Sequence, residues 1–143
     1  KGNSLLHVLR YKCKTIGEML LAAGLSIETR NKEGQTPLFH AITGPEEFFD
    51  FCIENHADLE AVDNNGCTPL HMASIISNLD AIKVFLVKGV QINPLDKEGR
   101  TPFDLSGSSA HITSTFDELM VIELCNKELK KHGGKPGRFL KDK

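Results

Sequence analysis

Residues 64–93 read Asn64-Asn65-Gly66-Cys67-Thr68-Pro69-Leu70-His71-Met72-Ala73, then Ser74-Ile75-Ile76-Ser77-Asn78, then Leu79-Asp80-Ala81-Ile82-Lys83-Val84-Phe85-Leu86-Val87-Lys88-Gly89, and close on Val90-Gln91-Ile92-Asn93. Asp63 to Gly66 has the chemistry of a tight turn, an Asx residue first and glycine last. Thr68 offers a hydroxyl to cap a helix, and Pro69 sits at the first helical position, where no N–H is needed. A second apolar-periodic helix follows, and Gly89 is placed to stop it with a left-handed residue. The unit is turn, helix, helix.

The unit recurs. Thr36-Pro37-Leu38 lies 32 residues before Thr68-Pro69-Leu70, and Thr101-Pro102-Phe103 lies 33 residues after it. Asn3-Ser4-Leu5 is a worn copy one step earlier. Asn31-Lys32-Glu33-Gly34 and Asp96-Lys97-Glu98-Gly99 repeat the turn. Gly24, His56 and Gly89 each lie 12 residues before the threonine of the next Thr-Pro. His56 must then take the left-handed conformation that glycine takes elsewhere, at some strain.

A period near 33 with Thr-Pro-Leu-His-x-Ala resembles the ankyrin-repeat family, from Asn3 to about Lys131. The resemblance implies an all-α solenoid of helix-turn-helix units joined by β-hairpin-like turns. The repeats fall at about residues 1–30, 31–62, 63–95 and 96–131, the first and last degenerate, as terminal repeats with one unpaired face are. In repeat one, Leu5, Leu6, Val8 and Leu9 supply the inner helix, and Ile16, Met19, Leu20 and Leu21 the outer one. In repeat two, Phe39 replaces the family's usual histidine, so one polar tie is lost there; Phe48, Phe49, Phe51 and Ile53 turn inward. Repeat four carries extra loop at residues 106–113. Thr115 and Glu118 have capping-box spacing for a final helix over about 116–131, whose apolar residues cover more than one stripe. Residues 132–143, rich in glycine and charge, read as a flexible basic tail or linker.

Composition bounds the function. The chain has 143 residues, 40% apolar and 25% charged, which suits one ordinary domain. No apolar run reaches the roughly 20 residues of a membrane span. Cys13, Cys52, Cys67 and Cys125 have neither disulfide-framework density nor Cys-x-x-Cys spacing, which is the usage of reduced thiols inside a cell, cytoplasmic or nuclear. The chain begins Lys1-Gly2 rather than with Met and reads as part of something longer. Net charge is −2, unevenly spread. Residues 1–32 hold six Lys/Arg against two acids, residues 33–126 four against fifteen, and residues 127–143 seven against two. The acidic middle disfavours nucleic acid as a partner and favours a protein with a basic segment.

The family resemblance implies a non-catalytic, monomeric module that binds a protein segment on its concave face, with no cofactor; the missing Met and the linker-like tail make it the targeting or scaffolding arm of a larger protein. The resemblance places contacts at Lys32, Glu33 and Gln35, at Asn64, Asn65 and Cys67, and at Lys97, Glu98 and Arg100. The ends of the inner helices add Arg10 and Tyr11, Thr43, and Ile75 and Ile76. Arg30, Val62 and Leu95, just before each turn, belong to the same face. Ile75 and Ile76 stand out, because two β-branched apolar residues at a helix end cost solubility without helping the helix. With Leu95 and Tyr11 they would form an apolar anchor; alternatively, one of them packs under the irregular loop of repeat four.

Asn93 matches the family asparagine that ties down the next hairpin and is a substrate class for asparaginyl hydroxylation; Glu28 and Glu60 hold the same place in repeats one and two. A cysteine enzyme using Cys67 and His71 with Asp63 is the competing reading, since a thiol just before a helix start can ionise more readily. It lacks an oxyanion-hole motif, and His71 has a structural role by resemblance. Cys52 and His56, four apart, form one half of a metal-binding spacing with no second pair to complete it.

Overall fold

The computed structural model describes residues 2–9, 13–108 and 116–140. Arg10, Tyr11 and Thr115, and most of the extra loop of repeat four, lie outside the described residues. The chain divides into two compact units, residues 1–64 and 65–143.

The first unit holds a 3-10 turn at Leu5–Val8, then α1 (Cys13–Ala22), α2 (Pro37–Ala41) and α3 (Glu46–Glu54). The second holds α4 (Pro69–Ile75), α5 (Leu79–Val87), α6 (Pro102–Leu105), α7 (Phe116–Lys131) and a 3-10 turn at Gly137–Phe139. Among the described residues there is no strand, so the architecture is all-α. Pro37, Pro69 and Pro102 each open an inner helix behind a threonine with extended backbone, the arrangement that fixed φ and a missing N–H favour.

Each outer helix stops in the same way. Leu25 N donates to Leu20 O, Ala57 N to Cys52 O, Val90 N to Phe85 O and Gly134 N to Leu129 O. These are six-to-one Schellman closures around Gly24, His56, Gly89 and Gly133, all at positive φ. His56 does take the left-handed conformation, at φ 57. The fourth stop, at His132-Gly133-Gly134, corrects over residues 132–140 the reading of residues 132–143 as a flexible basic tail or linker. Asn93 Nδ2 donates to Gly133 O at 3.0 Å and Lys135 N donates to Asn93 Oδ1 at 2.7 Å. Thr101 Oγ1 donates to Lys135 O, and Gly137 N donates to Asp104 Oδ2. The first unit holds the parallel contact: Asp58 N donates to Glu28 Oε1 at 2.8 Å, and Glu28 and Asp58 stand in their repeats where Asn93 and Lys135 stand. Residues 133–140 therefore continue the repeat register, and Asn93 ties down this segment.

Repeat one departs from expectation in two places. Its inner helix is only one 3-10 turn, in which Leu6 and His7 are buried while Leu5 and Val8 are exposed. In α1, Ile16 and Met19 face solvent. The buried position is Gly17, where an added Cβ would stand 2.5 Å from the Phe51 ring; the missing side chain lets α1 close on α3. Phe48, Phe49 and Phe51 are buried, and the rings of Phe48 and Phe51 stack 6.1 Å apart, so these aromatics are core.

Candidate protein-binding surface

Two of the hairpins that carry the predicted contact residues are each closed by one side chain. Asn31 Oδ1 accepts from Glu33 N and Gln35 N, both at 3.0 Å. Asp96 Oδ1 accepts from Glu98 N and Arg100 N, both at 2.9 Å. These are Asx turns closed from inside, and both Asx residues are buried. Gly34, Gly66 and Gly99 finish their turns at φ 76–77, and a Cβ on Gly66 would meet Lys97 N at 3.1 Å. Within each unit successive hairpins are laced together: Asn64 N donates to Glu33 O in the first, Lys97 N to Asn65 O in the second, each at 2.9 Å.

Histidine holds hairpin to helix. His71 is fully buried. Its Nδ1 accepts from Thr68 N at 3.0 Å, so the proton sits on Nε2, which donates to Arg100 O at 3.1 Å. His7 repeats the device, with Nδ1 accepting from Ser4 N and Nε2 bonded to Gln35 O. Asp104 takes the same place in repeat four, accepting from Thr101 N and Gly137 N. With both ring nitrogens so engaged, His71 is placed as a structural residue. Cys67 is 8% exposed, so its thiol lies beneath the hairpin surface on which the contact reading had placed it. Burial pushes the Cys125 thiol above its ordinary pKa, which disfavours the nucleophilic form.

The two hairpin arginines are satisfied internally. Arg30 donates from Nη1 to Gly34 O at 2.8 Å and also to Val62 O. Arg100 pairs with Asp96 at 2.8 Å and Glu98 at 2.7 Å. Burial alone would raise the Asp96 pKa; the Arg100 N–H, its guanidinium and the Glu98 N–H together outweigh that and hold it below the usual carboxylate range. Asp104 is treated alike: burial opposes ionisation, but the Thr101 and Gly137 N–H groups, the Thr101 hydroxyl and the Arg138 charge prevail. Lys32, Glu33, Asn64 and Thr43 in the first unit are exposed, as are Asn65, Lys97 and Glu98 in the second; Gln35 is half-buried. Asn64 turns its amide back to donate to Lys32 O.

Ile75 and Ile76 end α4. Both are half-buried, and Leu95 is 44% exposed. The backbone beside them is fixed: Ser77 takes φ 56, Asn78 N donates to Ala73 O, and Gly107 N donates to Ser74 O. The turn after α6 thus sits against the end of α4. Ser77 is a left-handed position for which the sequence offers no glycine signal.

Repeat register, helix stops and buried histidines agree on one family, and comparison with known proteins decides it. Residues 40–86 match the family model for ankyrin repeats (many copies). An ankyrin repeat protein of variola virus, OPG189, is 36% identical over 114 residues, covering 71% of this chain and 20% of that protein. The chain belongs to the ankyrin-repeat family. The monkeypox virus OPG189 protein is 42% identical over 57 residues, 40% of this chain and 10% of that protein. The Caenorhabditis elegans homolog of transient receptor potential cation channel subfamily A member 1 is 31% identical over 112 residues, 77% of this chain and 9% of that protein. The chain thus spans about a fifth or less of the length of these relatives. Ankyrin repeats are generally protein–protein interaction modules, and the family is typically non-catalytic. Among the described residues, no helix is long and apolar enough to cross a membrane.

Proposed function

We propose that this domain is a non-catalytic binding module whose second unit captures a protein segment at the end of α4 and the hairpin beside it. The observation that carries the reading is the pair Ile75 and Ile76. They are half-buried on a rigid helix end, with apolar Leu95 exposed in the same unit. Apolar anchors surrounded by polar residues are where binding free energy concentrates. The acidic balance of residues 33–126 gives such a surface a preference for segments with basic residues, through steering and rejection of acidic competitors. The first unit carries its own set of exposed hairpin residues, Arg30, Lys32 and Glu33 with half-buried Gln35, and the domain acts as a targeting or scaffolding arm of a larger intracellular chain.

The test is capture of a partner by the wild-type domain beside Ile75→Arg with Ile76→Glu. The variant loses the partner while its thermal midpoint stays within about 5 °C of wild type, the shift expected for less than roughly 2 kcal/mol in a domain of this size. A collapse of the midpoint would make the pair core residues and remove them from the surface. Equal capture by both would reject this face.

A further inference from the structure

We infer a second docking surface in the second unit, formed by α7 and residues 135–138, that takes an acidic protein segment carrying an apolar anchor. It is separate from the α4 face, and its basic residues are gathered at 127–138. The solvent side of α7 changes character along its length. Its first half exposes Leu119, Met120 and Leu124, at 55%, 47% and 42%, beside the exposed acids Asp117, Glu118 and Glu123. Its last two turns carry Lys127, Lys130 and Lys131. A shallow groove of about 440 Å³ joins the two halves, lined by Leu119, Ile122, Lys127 and Lys130, with Glu123 and Asn126 completing its wall.

The segment after α7 adds charge to the same corner. Gly137 N anchors it on Asp104, and the Arg138 charge lies near enough to Asp104 to favour its ionised form. The neighbouring residue, Phe103, carries Lys130 Nζ 5.3 Å from its ring centroid. Residues 103–104 thus gather cations from α7 and from the segment behind it. Residues 127–140 hold five Lys/Arg against one acid, Glu128, which already pairs with Lys131 at 3.6 Å. The preceding 94 residues carry a net charge of −11. An acidic segment is therefore repelled by most of the domain and attracted to this corner, which gives it register as well as affinity. The exposed leucines supply the apolar contact that charge alone lacks.

The test uses a fluorescein-labelled Glu-rich peptide with a central Leu-Phe pair, its Gln-for-Glu counterpart, and a version with Ser in place of Leu-Phe. Anisotropy is read at two salt concentrations, with phosphatidylserine vesicles as a separate arm. Saturable binding of the first peptide is expected, weakened about tenfold or more by either change in the peptide and by added salt. Lys127→Glu with Lys130→Glu lowers affinity by a similar factor, and Leu119→Ser lowers it without changing the salt slope. Gly137→Val, whose Cβ would collide with Gly99 O, releases residues 135–138 and weakens binding while sparing the α7 lysines. Ile75→Arg with Ile76→Glu leaves it unchanged, which separates this surface from the first. Equal binding of the Gln peptide, indifference to the lysine reversals, absence of saturable binding, or vesicle binding without peptide binding would each overturn the proposal.

Discussion

Repeats two and three build the same capped helix from almost the same letters, and one buried side chain separates them. At the start of α4, Thr68 Oγ1 accepts from His71 N at 3.4 Å and lies 3.0 Å from the imidazole Nδ1, which also takes Thr68 N–H. At the start of α2, Phe39 stands where His71 stands. Thr36 is fully buried, and its Oγ1 has no hydrogen-bond partner among the described residues. The first arrangement is a satisfied polar network; the second keeps the threonine and lacks the group that answers it. A buried hydroxyl without a partner costs roughly 1–3 kcal/mol, so Thr36 is a burden where Thr68 is a support. The difference teaches that a shared motif does not carry a shared energy.

The largest break in this contrast is His71→Phe, which makes repeat three resemble repeat two. It strands Thr68 N–H and Arg100 O and takes the imidazole away from Thr68 Oγ1, which keeps only the backbone N–H of residue 71, and we expect a loss of roughly 2–4 kcal/mol by urea denaturation. Gly66→Val acts on the neighbouring hairpin, where φ is 77. A β-branched residue there is strained and meets Lys97 N, for an expected loss of about 2 kcal/mol. An unchanged melting curve would remove the turn assignment. The threonines sharpen the contrast directly. Thr68→Val should cost about 1–2 kcal/mol, whereas Thr36→Val, which removes an unanswered hydroxyl at nearly constant volume, should be neutral or stabilising by up to about 1 kcal/mol. Equal losses at both sites would show that Thr36 is satisfied.

A smaller effect separates the hairpins themselves. Asn31 closes one turn with an amide, Asp96 the other with a carboxylate whose pKa is held below its ordinary value. Its folded pKa is depressed, so its contribution is present above the unfolded value of about 3.9 and fades as pH falls through that value toward the lower folded pKa. Asp104 titrates with the same sign. Acid should therefore loosen residues 96–104 before residues 31–35. Amide exchange between pH 5 and pH 3 reads this directly, and Asp96→Asn with its partner amides monitored should flatten the acid response of that turn. Faster loosening at residues 31–35 would break the assignment.

Much of this was legible in the sequence because it is local. Turn glycines, Thr-Pro helix starts and helix stops are set by φ, by missing N–H groups and by hydroxyl geometry, and these act within a few residues. The left-handed backbone of His56 followed from register alone. The docked segment at 133–140 was not seen, because its glycines and charges have the composition of a linker. Its hydrogen bonds come from Asn93, Thr101 and Asp104, some 30 to 40 residues away. The signal was present in His132-Gly133-Gly134, which repeats the stop at Asn55-His56-Ala57 after a longer interval. The buried place of Gly17 was not legible either: it depends on the Phe51 ring opposite, and periodicity of apolar residues cannot register a missing side chain. The Ile75 and Ile76 pair was legible as an oddity, but its half-burial depends on how the turn after α6 meets α4.

Site-specific photo-cross-linking would test the central reading most directly. A benzophenone side chain is placed at position 76, at the end of α4, and separately at position 87, where Val87 is 85% exposed on α5. The account predicts that the captured partner cross-links from position 76 and is absent from position 87. Cross-linking from position 87 with none from position 76 would contradict it and move the partner to the outer helices.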